Sequence, residues 1–412
     1  MEPQSSKMKI LFSPPFIDKN IKNEVNKTLN SGWITSGKKV KEFEAELLKF
    51  TNAKNVLCVN SWTSGALLVY KWLDIKKGDE VIVPAYTYSA TALSVLNCGA
   101  KPVMVDVNSD FSINIESLKK AITNKTKAII PVDFAGWPCD YDKIHEIVND
   151  QKIRSLYNPS SEKQRQIGRI IVISDAAHSI GATYKNKNVG ELTDISIFSF
   201  HAVKNITTGE GGAICLNLPN QFNNSEEFKL MKLLSLNGQT KDALSKSIQG
   251  NWKYDIIHQG LKVNMPDICA VIGLEQLKIY KDFLLNRREE IAQMYNDYFS
   301  RHDYFELPPL KDNERKSSFH VYALRINNCN ESTRDSIIKE ISSHNISVNV
   351  HFTPMPLLTL FKNLGYDILD YPISYDNYSR EISLPIYPQL TNEQVEYVCD
   401  IVNKSYTKIV LN

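Results

Sequence analysis

Phe198-Ser199-Phe200-His201-Ala202-Val203-Lys204-Asn205-Ile206-Thr207-Thr208-Gly209-Glu210-Gly211-Gly212 sets the terms on which the remaining sequence is understood. The β-branched and aromatic run from Ile195 to Phe200 has the composition of a short buried strand, and it stops at His201, where the residues turn polar and small. Lys204 stands at that break. An ammonium is a strongly hydrated point charge that interiors reject unless they shift its pKa or convert it, which is why covalently reactive lysines sit at such transitions. Gly209, Gly211 and Gly212 then clear side chains where a bulky ligand would need the backbone close. An exposed loop lysine beside a glycine turn would have the same residues, so neighbouring stretches must arbitrate.

Upstream, Arg169 to Ser174 is strand-like and runs into Asp175-Ala176-Ala177-His178-Ser179. In an open parallel sheet, ligands bind beyond the carboxyl ends of the strands, which is where Asp175 falls; the alternative is a helix N-cap. The interval of 204 − 175 = 29 residues has room for a turn, a short strand pair and a return to the same sheet edge. Strand signals recur at Asn55–Val59, Glu80–Pro84, Pro102–Val107 and Lys127–Val132, alternating with helical stretches. Such alternation over short connections predicts an α/β fold with a mainly parallel sheet covered by helices. After the first of these strands, Asn60-Ser61-Trp62-Thr63-Ser64-Gly65 leads into a helix; hydroxyls and free N–H groups at that junction suit a phosphate, or an ordinary cap.

Elsewhere, helices are expected over Ile17–Leu29, Val40–Phe50, Tyr141–Val148, Pro266–Tyr280 and Lys281–Phe299, the last with Arg287-Arg288-Glu289-Glu290 as an exposed charged face. Residues 150–168 turn polar and basic and read as a surface insertion, and 235–259 as polar loop. A second small unit of mixed strands and helices occupies Ser318 to Val410. The chain has 412 residues, 42% hydrophobic, which exceeds one ordinary core and leads to two domains, 9–283 and 284–412.

A net charge of +2, spread along the chain, argues against nucleic acid or membrane as the main partner. Cys58, Cys98, Cys139, Cys215, Cys269, Cys329 and Cys399 are scattered without metal-ligand spacing and read as buried thiols of a reducing compartment. Met1 to Met8 is polar, with no apolar core of signal-peptide length, and no segment approaches the roughly 20 apolar residues that span a bilayer; a cytoplasmic location is expected.

Thr63, Ser64 and Ser199 supply hydroxyls, Tyr88 an aromatic face, Asp175 a carboxylate, His178 an imidazole and Lys204 an amine. Together they suit a flat, phosphorylated, nitrogenous ring bearing an aldehyde, namely pyridoxal 5'-phosphate. A carboxylate on the pyridine nitrogen keeps it protonated, so the ring can drain electrons from an attached carbanion. The lysine links to the aldehyde and, once released, moves protons as acid and base.

From about Ile10 to Ile401 the sequence resembles the sugar aminotransferases of the DegT/DnrJ/EryC1/StrS family. The resemblance runs through Ser31-Gly32-Trp33-Ile34-Thr35-Ser36-Gly37, Gly78-Asp79-Glu80-Val81-Ile82-Val83-Pro84, Asp175-Ala176-Ala177-His178, Phe198 to Gly212, and Ser383-Leu384-Pro385. It implies the aspartate aminotransferase (type I) fold, with a large domain built on a mainly parallel seven-stranded sheet and a smaller C-terminal α+β domain. It also implies Lys204 as the Schiff-base lysine, Asp175 on the pyridine nitrogen, His178 near the ring hydroxyl, Tyr88 on the ring face, and Thr63, Ser64 and Ser199 on the phosphate. A homodimer with shared active sites follows from the same resemblance, with Lys262 or Asn264 reaching the neighbouring subunit's phosphate. Many relatives have Asn-Tyr-Arg where this chain has Lys262-Val263-Asn264.

On the substrate side the resemblance points to Trp33, Thr35, His201 and His351, although His351 could equally be a structural histidine. The implied reaction moves an amino group from L-glutamate to the keto carbon of a dTDP- or UDP-linked 4-keto-6-deoxy sugar. C4 is the preferred carbon, with C3 of a nucleotide-linked 3-keto sugar as the alternative, and the product would serve polysaccharide or lipopolysaccharide biosynthesis. Sugar dehydratases on this fold carry histidine in place of the lysine, so Lys204 speaks against that chemistry. A silent binding or regulatory protein would not need the complete cofactor set.

Overall fold

The computed structural model describes residues 9–411; Met1 to Met8, considered above for a leader, lies outside them. Seven strands form the central sheet: β1 (Asn55–Val59), β2 (Glu80–Pro84), β3 (Lys101–Val105), β4 (Thr126–Ile129), β5 (Ile171–Asp175), β6 (Ile195–Ser199) and β7 (Gly212–Leu216). Their order across the sheet is β1-β7-β6-β5-β4-β2-β3. The pairs from β3 to β6 are parallel, and β7 runs antiparallel to both β1 and β6.

The parallel strands are apolar along their length because helices cover both faces. Alternation still sorts them by face: Leu57 and Val59 join one apolar cluster with Ile171, Ile173, Ile195 and Ile197, while Val56, Cys58 and Phe198 join another. Helices α1 (Lys19–Asn30) and α2 (Lys38–Thr51) belong to the second side, with the helix Asp267–Ile279 packed against both. Helix α3 (Trp62–Leu73) packs beside α4 (Ala90–Asn97) on the first.

Four local expectations need correcting. Residues 150–168 are not a bare insertion but carry two short helices, Gln151–Leu156 and Glu162–Ile167. Their caps, Asp150 and Ser161, are the polar residues that made the segment look like loop, and buried Gln164 fastens it by donating to Leu73 O at 3.1 Å. The strand β7 hides in what reads as the tail of a glycine loop. Gly212 serves packing of the chain on itself, a Cβ there lying 2.7 Å from Phe198 O and 2.9 Å from Trp62 N, whereas Gly211, where a Cβ would lie 2.1 Å from Thr208 Oγ1, also lines the cavity described below. Arg288, expected on an exposed face, is 2% exposed, because its Nη1 donates to Ile386 O at 2.9 Å where the long helix meets the C-terminal segment.

That long helix is continuous from Asp267 to Phe299, with a π-helical stretch at Tyr280–Leu285 between its two α-helical parts. Beyond it, Tyr322–Ile326 is the centre of a three-stranded antiparallel sheet flanked by Phe305–Glu306 and Glu381–Leu384. Helices Glu331–Ser343 and Asn392–Tyr406 pack against one another there. The loop 349–352 pairs with the strand Glu381–Leu384 through Asn349 and Ser383, and Met355 N–H donates to Ala85 O at 3.0 Å, so this loop spans from the small sheet to the end of β2. No helix of the described residues is long and apolar enough to cross a membrane.

Candidate active site

One cavity of about 550 Å³ opens at the carboxyl edge of the central sheet. The ends of β1, β2, β5 and β6 contribute Ser61, Thr63, Tyr88, Asp175, His178 and Ser199, and the loop between β6 and β7 contributes His201 and Lys204. Because β7 is antiparallel, its first residue, Gly212, sits at this same edge, level with Val59 and Ser199. A hairpin of Thr183–Tyr184 and Lys187–Asn188 fills the interval between Asp175 and the return of the chain in β6.

Asp175 is buried at the end of β5. Its Oδ2 accepts from Thr91 Oγ1 at 2.8 Å, and its Oδ1 from Ala177 N–H at 3.2 Å. Burial pushes its carboxyl up to about 6, with the Thr91 and Ala177 donors and the Lys204 charge opposing. Lys204 is half-buried and its Nζ makes no hydrogen bond among the described residues; burial pulls it down to about 8, with Asp175 pulling the other way. An amine poised near neutrality is what a nucleophile and proton carrier requires.

His178 Nδ1 accepts from the Ala135 N–H at 3.2 Å, which leaves the hydrogen on Nε2. Burial, then the Lys204 charge, hold this imidazole neutral well below its ordinary range. Its ring lies 4.4 Å from that of His320, whose Nδ1 pairs with Asn205 Oδ1 at 2.9 Å. Asn205 Nδ2 donates to Ser318 O and Tyr280 Oη, so the oxygen is the acceptor and His320 Nδ1 carries the hydrogen.

The N-terminus of α3 faces the cavity. Ser61 caps it by accepting from Ser64 N–H at 3.0 Å, and the Trp62 and Thr63 N–H groups find no backbone acceptor among the described residues. Thr63 and Ser199 bring hydroxyls to this end. Ser64, by contrast, does not line the cavity; its hydroxyl meets Ser61 Oγ at 2.9 Å, and Ser61 takes the lining position. Tyr88 is 62% exposed at the mouth, its ring 5.7 Å from Phe352. His351 and Phe352 close the cavity from the C-terminal side.

Trp33, Thr35, Lys262 and Asn264 do not line this cavity. They are bonded around the segments 33–37 and 262–267 instead: Asn264 donates to Ser36 Oγ, Lys262 to Asn264, Trp33 Nε1 to Ser36 O at 3.3 Å, and Thr35 O accepts from Asp267 N–H at 3.2 Å. Thr91, Ser61, His320 and Asn205 escaped the sequence reading. Thr91 lies three residues beyond Tyr88, and Asn205 directly follows Lys204, whereas nothing local marks His320.

The residues present fit pyridoxal phosphate. Free N–H groups and hydroxyls at a helix start suit its phosphate, a buried carboxylate suits its ring nitrogen, and the unbonded Lys204 amine suits its aldehyde. When bound, the cofactor supplies the electron sink for transamination. A parallel sheet presenting that set at its carboxyl edge defines a pyridoxal-phosphate enzyme of the aspartate aminotransferase fold. The chain belongs to the DegT/DnrJ/EryC1/StrS aminotransferase family, whose model matches residues 15–158 and 161–403.

Among solved structures, Spr1654 of Streptococcus pneumoniae in its PMP form, assigned as a sugar aminotransferase, is 42% identical. It superposes with a TM-score of 0.93, covering 97% of this chain and 100% of its own. The Bacillus subtilis spore coat polysaccharide biosynthesis protein SpsC is 35% identical over 95% of both chains. The UDP-4-amino-4-deoxy-L-arabinose–oxoglutarate aminotransferase of Shewanella sediminis is 31% identical over 95% of this chain and 96% of its own.

Proposed function

We propose that this enzyme transfers the amino group of L-glutamate to C4 of a UDP- or dTDP-linked 4-keto-6-deoxy sugar, for polysaccharide assembly in the cytoplasm. The observation that carries the reading is the convergence of the Lys204 amine, the Asp175 carboxyl and the start of α3 on one cavity. The Shewanella relative's name supports a nucleotide-linked 4-amino sugar and the glutamate–oxoglutarate couple, and that of SpsC supports a polysaccharide fate. In this reading Lys204 handles protons at the reacting carbon, Asp175 and His178 orient the cofactor ring, Tyr88 covers its face, and Thr63, Ser199 and the α3 N-terminus hold its phosphate. His201 and His351 face the sugar.

The working unit is a homodimer. Ile34, Trp252, Tyr254, Ile256 and Ile257 are each at least 49% exposed, with Trp252 at 74%, and such apolar area calls for a partner surface. Trp33, Thr35, Lys262 and Asn264 lie away from their own cavity and are assigned to that of the second copy, which makes the interface isologous. Each copy divides into a large domain, 9–283, and a small one, 284–412.

Incubation with L-glutamate and a panel of dTDP- and UDP-linked keto sugars tests the reading. The expected product exchanges a keto oxygen for an amine at C4, located by NMR. An amine at C3 would select the alternative carbon, and loss of water without gain of nitrogen would overturn amination.

A further inference from the structure

Glu381, Ser383 and His351 form a hydrogen-bonded line that ends at the cavity. Glu381 and Ser383 alternate on one face of their strand and are fully buried. Ser383 Oγ is bonded to Glu381 Oε1, and His351 Nδ1 lies 2.9 Å from the same hydroxyl. The His351 backbone N–H donates to Glu381 Oε2 at 3.0 Å, and Tyr86 Oη donates to His351 O, so the backbone that carries the ring is anchored at both sides. Phe12 stacks on it at 5.4 Å. The remaining ring nitrogen, Nε2, has no partner among the described residues, on a side chain that lines the cavity with Lys204.

A hydroxyl carries a single hydrogen, so this line has two complete arrangements on the same heavy atoms. In one, Glu381 is a carboxylate, Ser383 donates to it, His351 Nδ1–H donates to Ser383, and Nε2 is bare. In the other, Glu381 is protonated and donates to Ser383, Ser383 donates to Nδ1, and Nε2 carries the hydrogen. Passing from the first to the second takes one proton in at Nε2 and shifts one across each inner hydrogen bond. The incoming charge neutralises the carboxylate, and only O–H and N–H bonds change.

We propose that Glu381, Ser383 and His351 are a proton relay through which His351 Nε2 accepts and returns a proton in the cavity without becoming an imidazolium. Glu381 and Ser383 are positioning residues, and His351 is the group that faces the substrate. The relay rests on the aminotransferase reading for its use: replacing a keto oxygen by an amine expels water, which needs a proton donor on the sugar side.

The surroundings favour this division of charge. Burial and the Lys204 charge pull His351 down to about 3, and neutral His178 and His320 stand across the cavity. Burial pushes Glu381 up to about 8, against the pull of Arg334 and Arg325. Tyr86, beside them, is held protonated well above its ordinary range by burial.

The test is long-range 1H–15N spectroscopy of the full chain labelled at histidine, without added cofactor, from pH 6 to 9.5. The His351 signals are assigned by their loss in His351→Gln. The expected result is the Nε2–H tautomer at low pH and the Nδ1–H tautomer at high pH, exchanging near the Glu381 value of about 8 with no imidazolium signal. Ser383→Ala and the isosteric Glu381→Gln should each abolish the exchange, and the latter carries the test if the former fails to fold. A wild-type tautomer that ignores pH, or an exchange that survives both substitutions, overturns the relay. An intact exchange in a protein that aminates no sugar would count against the aminotransferase reading instead.

Discussion

The sheet wall of the cavity and its C-terminal wall do comparable work by different means. The sheet wall is made of strand ends: Asp175 and Ser199 close their strands, Thr63 and Lys204 follow soon after theirs, and backbone geometry brings them together. The C-terminal wall is a network of side chains, in which His351, Glu381 and Ser383 are held by bonds to one another and to Tyr86. Topology places groups that must meet a rigid ring, whereas a buried polar network can hold a proton in more than one place. The difference predicts that substitutions on the first wall cost placement and those on the second cost protonation state.

The largest effect is expected at Lys204. Lys204→Ala should lower amination by about four orders of magnitude or more, since the variant loses both the nucleophile and the proton carrier. A turnover close to wild type would remove the sheet wall from the chemistry altogether. The same variant, without cofactor, should be more resistant to heat at pH 7. The fold holds this ammonium down at about 8, so the stability linked to it is complete above its ordinary range and is lost as pH falls through 8.

Next comes Gly212. Its missing Cβ lets β7 pass within contact of Phe198 O and the start of α3. Gly212→Val should cost about 3 kcal/mol in denaturant unfolding, because the atoms met are backbone and cannot yield. Cofactor affinity should fall with it, as the α3 N–H groups move. Unchanged affinity in a destabilised variant would separate the phosphate end from strand packing.

Much of the sheet wall was legible because parallel strands announce themselves as apolar runs and their functional groups follow at once. Asp175 and Lys204 could be brought to one sheet edge because each follows a strand signal and the interval between them has room for a return. Gly212–Leu216 was missed because a strand that begins with glycine looks like the end of a loop. The C-terminal wall was only partly legible. His351 and the Ser383 motif were noticed, yet nothing local ties His351 to Glu381, since their contact depends on a loop crossing between two sheets. Arg288 failed for the same reason: its charge pattern is that of a surface helix, and its acceptors come from remote segments.

Asp175 sharpens the contrast in the opposite sense of stability. Its carboxyl is raised to about 6, so folding favours the protonated form relative to the unfolded chain. The stability this contributes is full below about pH 4 and is lost as pH rises through 6. Asp175→Asn should therefore gain up to about 3 kcal/mol at pH 7.5 without cofactor, and nothing at pH 4, while losing amination. Thermal unfolding at the two pH values reads this directly. Equal shifts at both would assign the gain to packing.

The smallest effect is expected where the two walls touch. Tyr88 follows β2, and its ring leans on Phe352 from the C-terminal wall at 5.7 Å and 49°. Its hydroxyl makes no hydrogen bond among the described residues, so the ring alone is the functional part. Tyr88→Phe should leave cofactor affinity within about twofold of wild type. Tyr88→Ala should weaken it by about 1 kcal/mol, the ordinary worth of an aromatic pair, or about fivefold in dissociation constant. Equilibrium titration followed by the cofactor's visible absorbance distinguishes the two. If Tyr88→Phe were as damaging as Tyr88→Ala, the hydroxyl would be the active part, and Tyr88 would belong with the proton-handling network of the opposite wall.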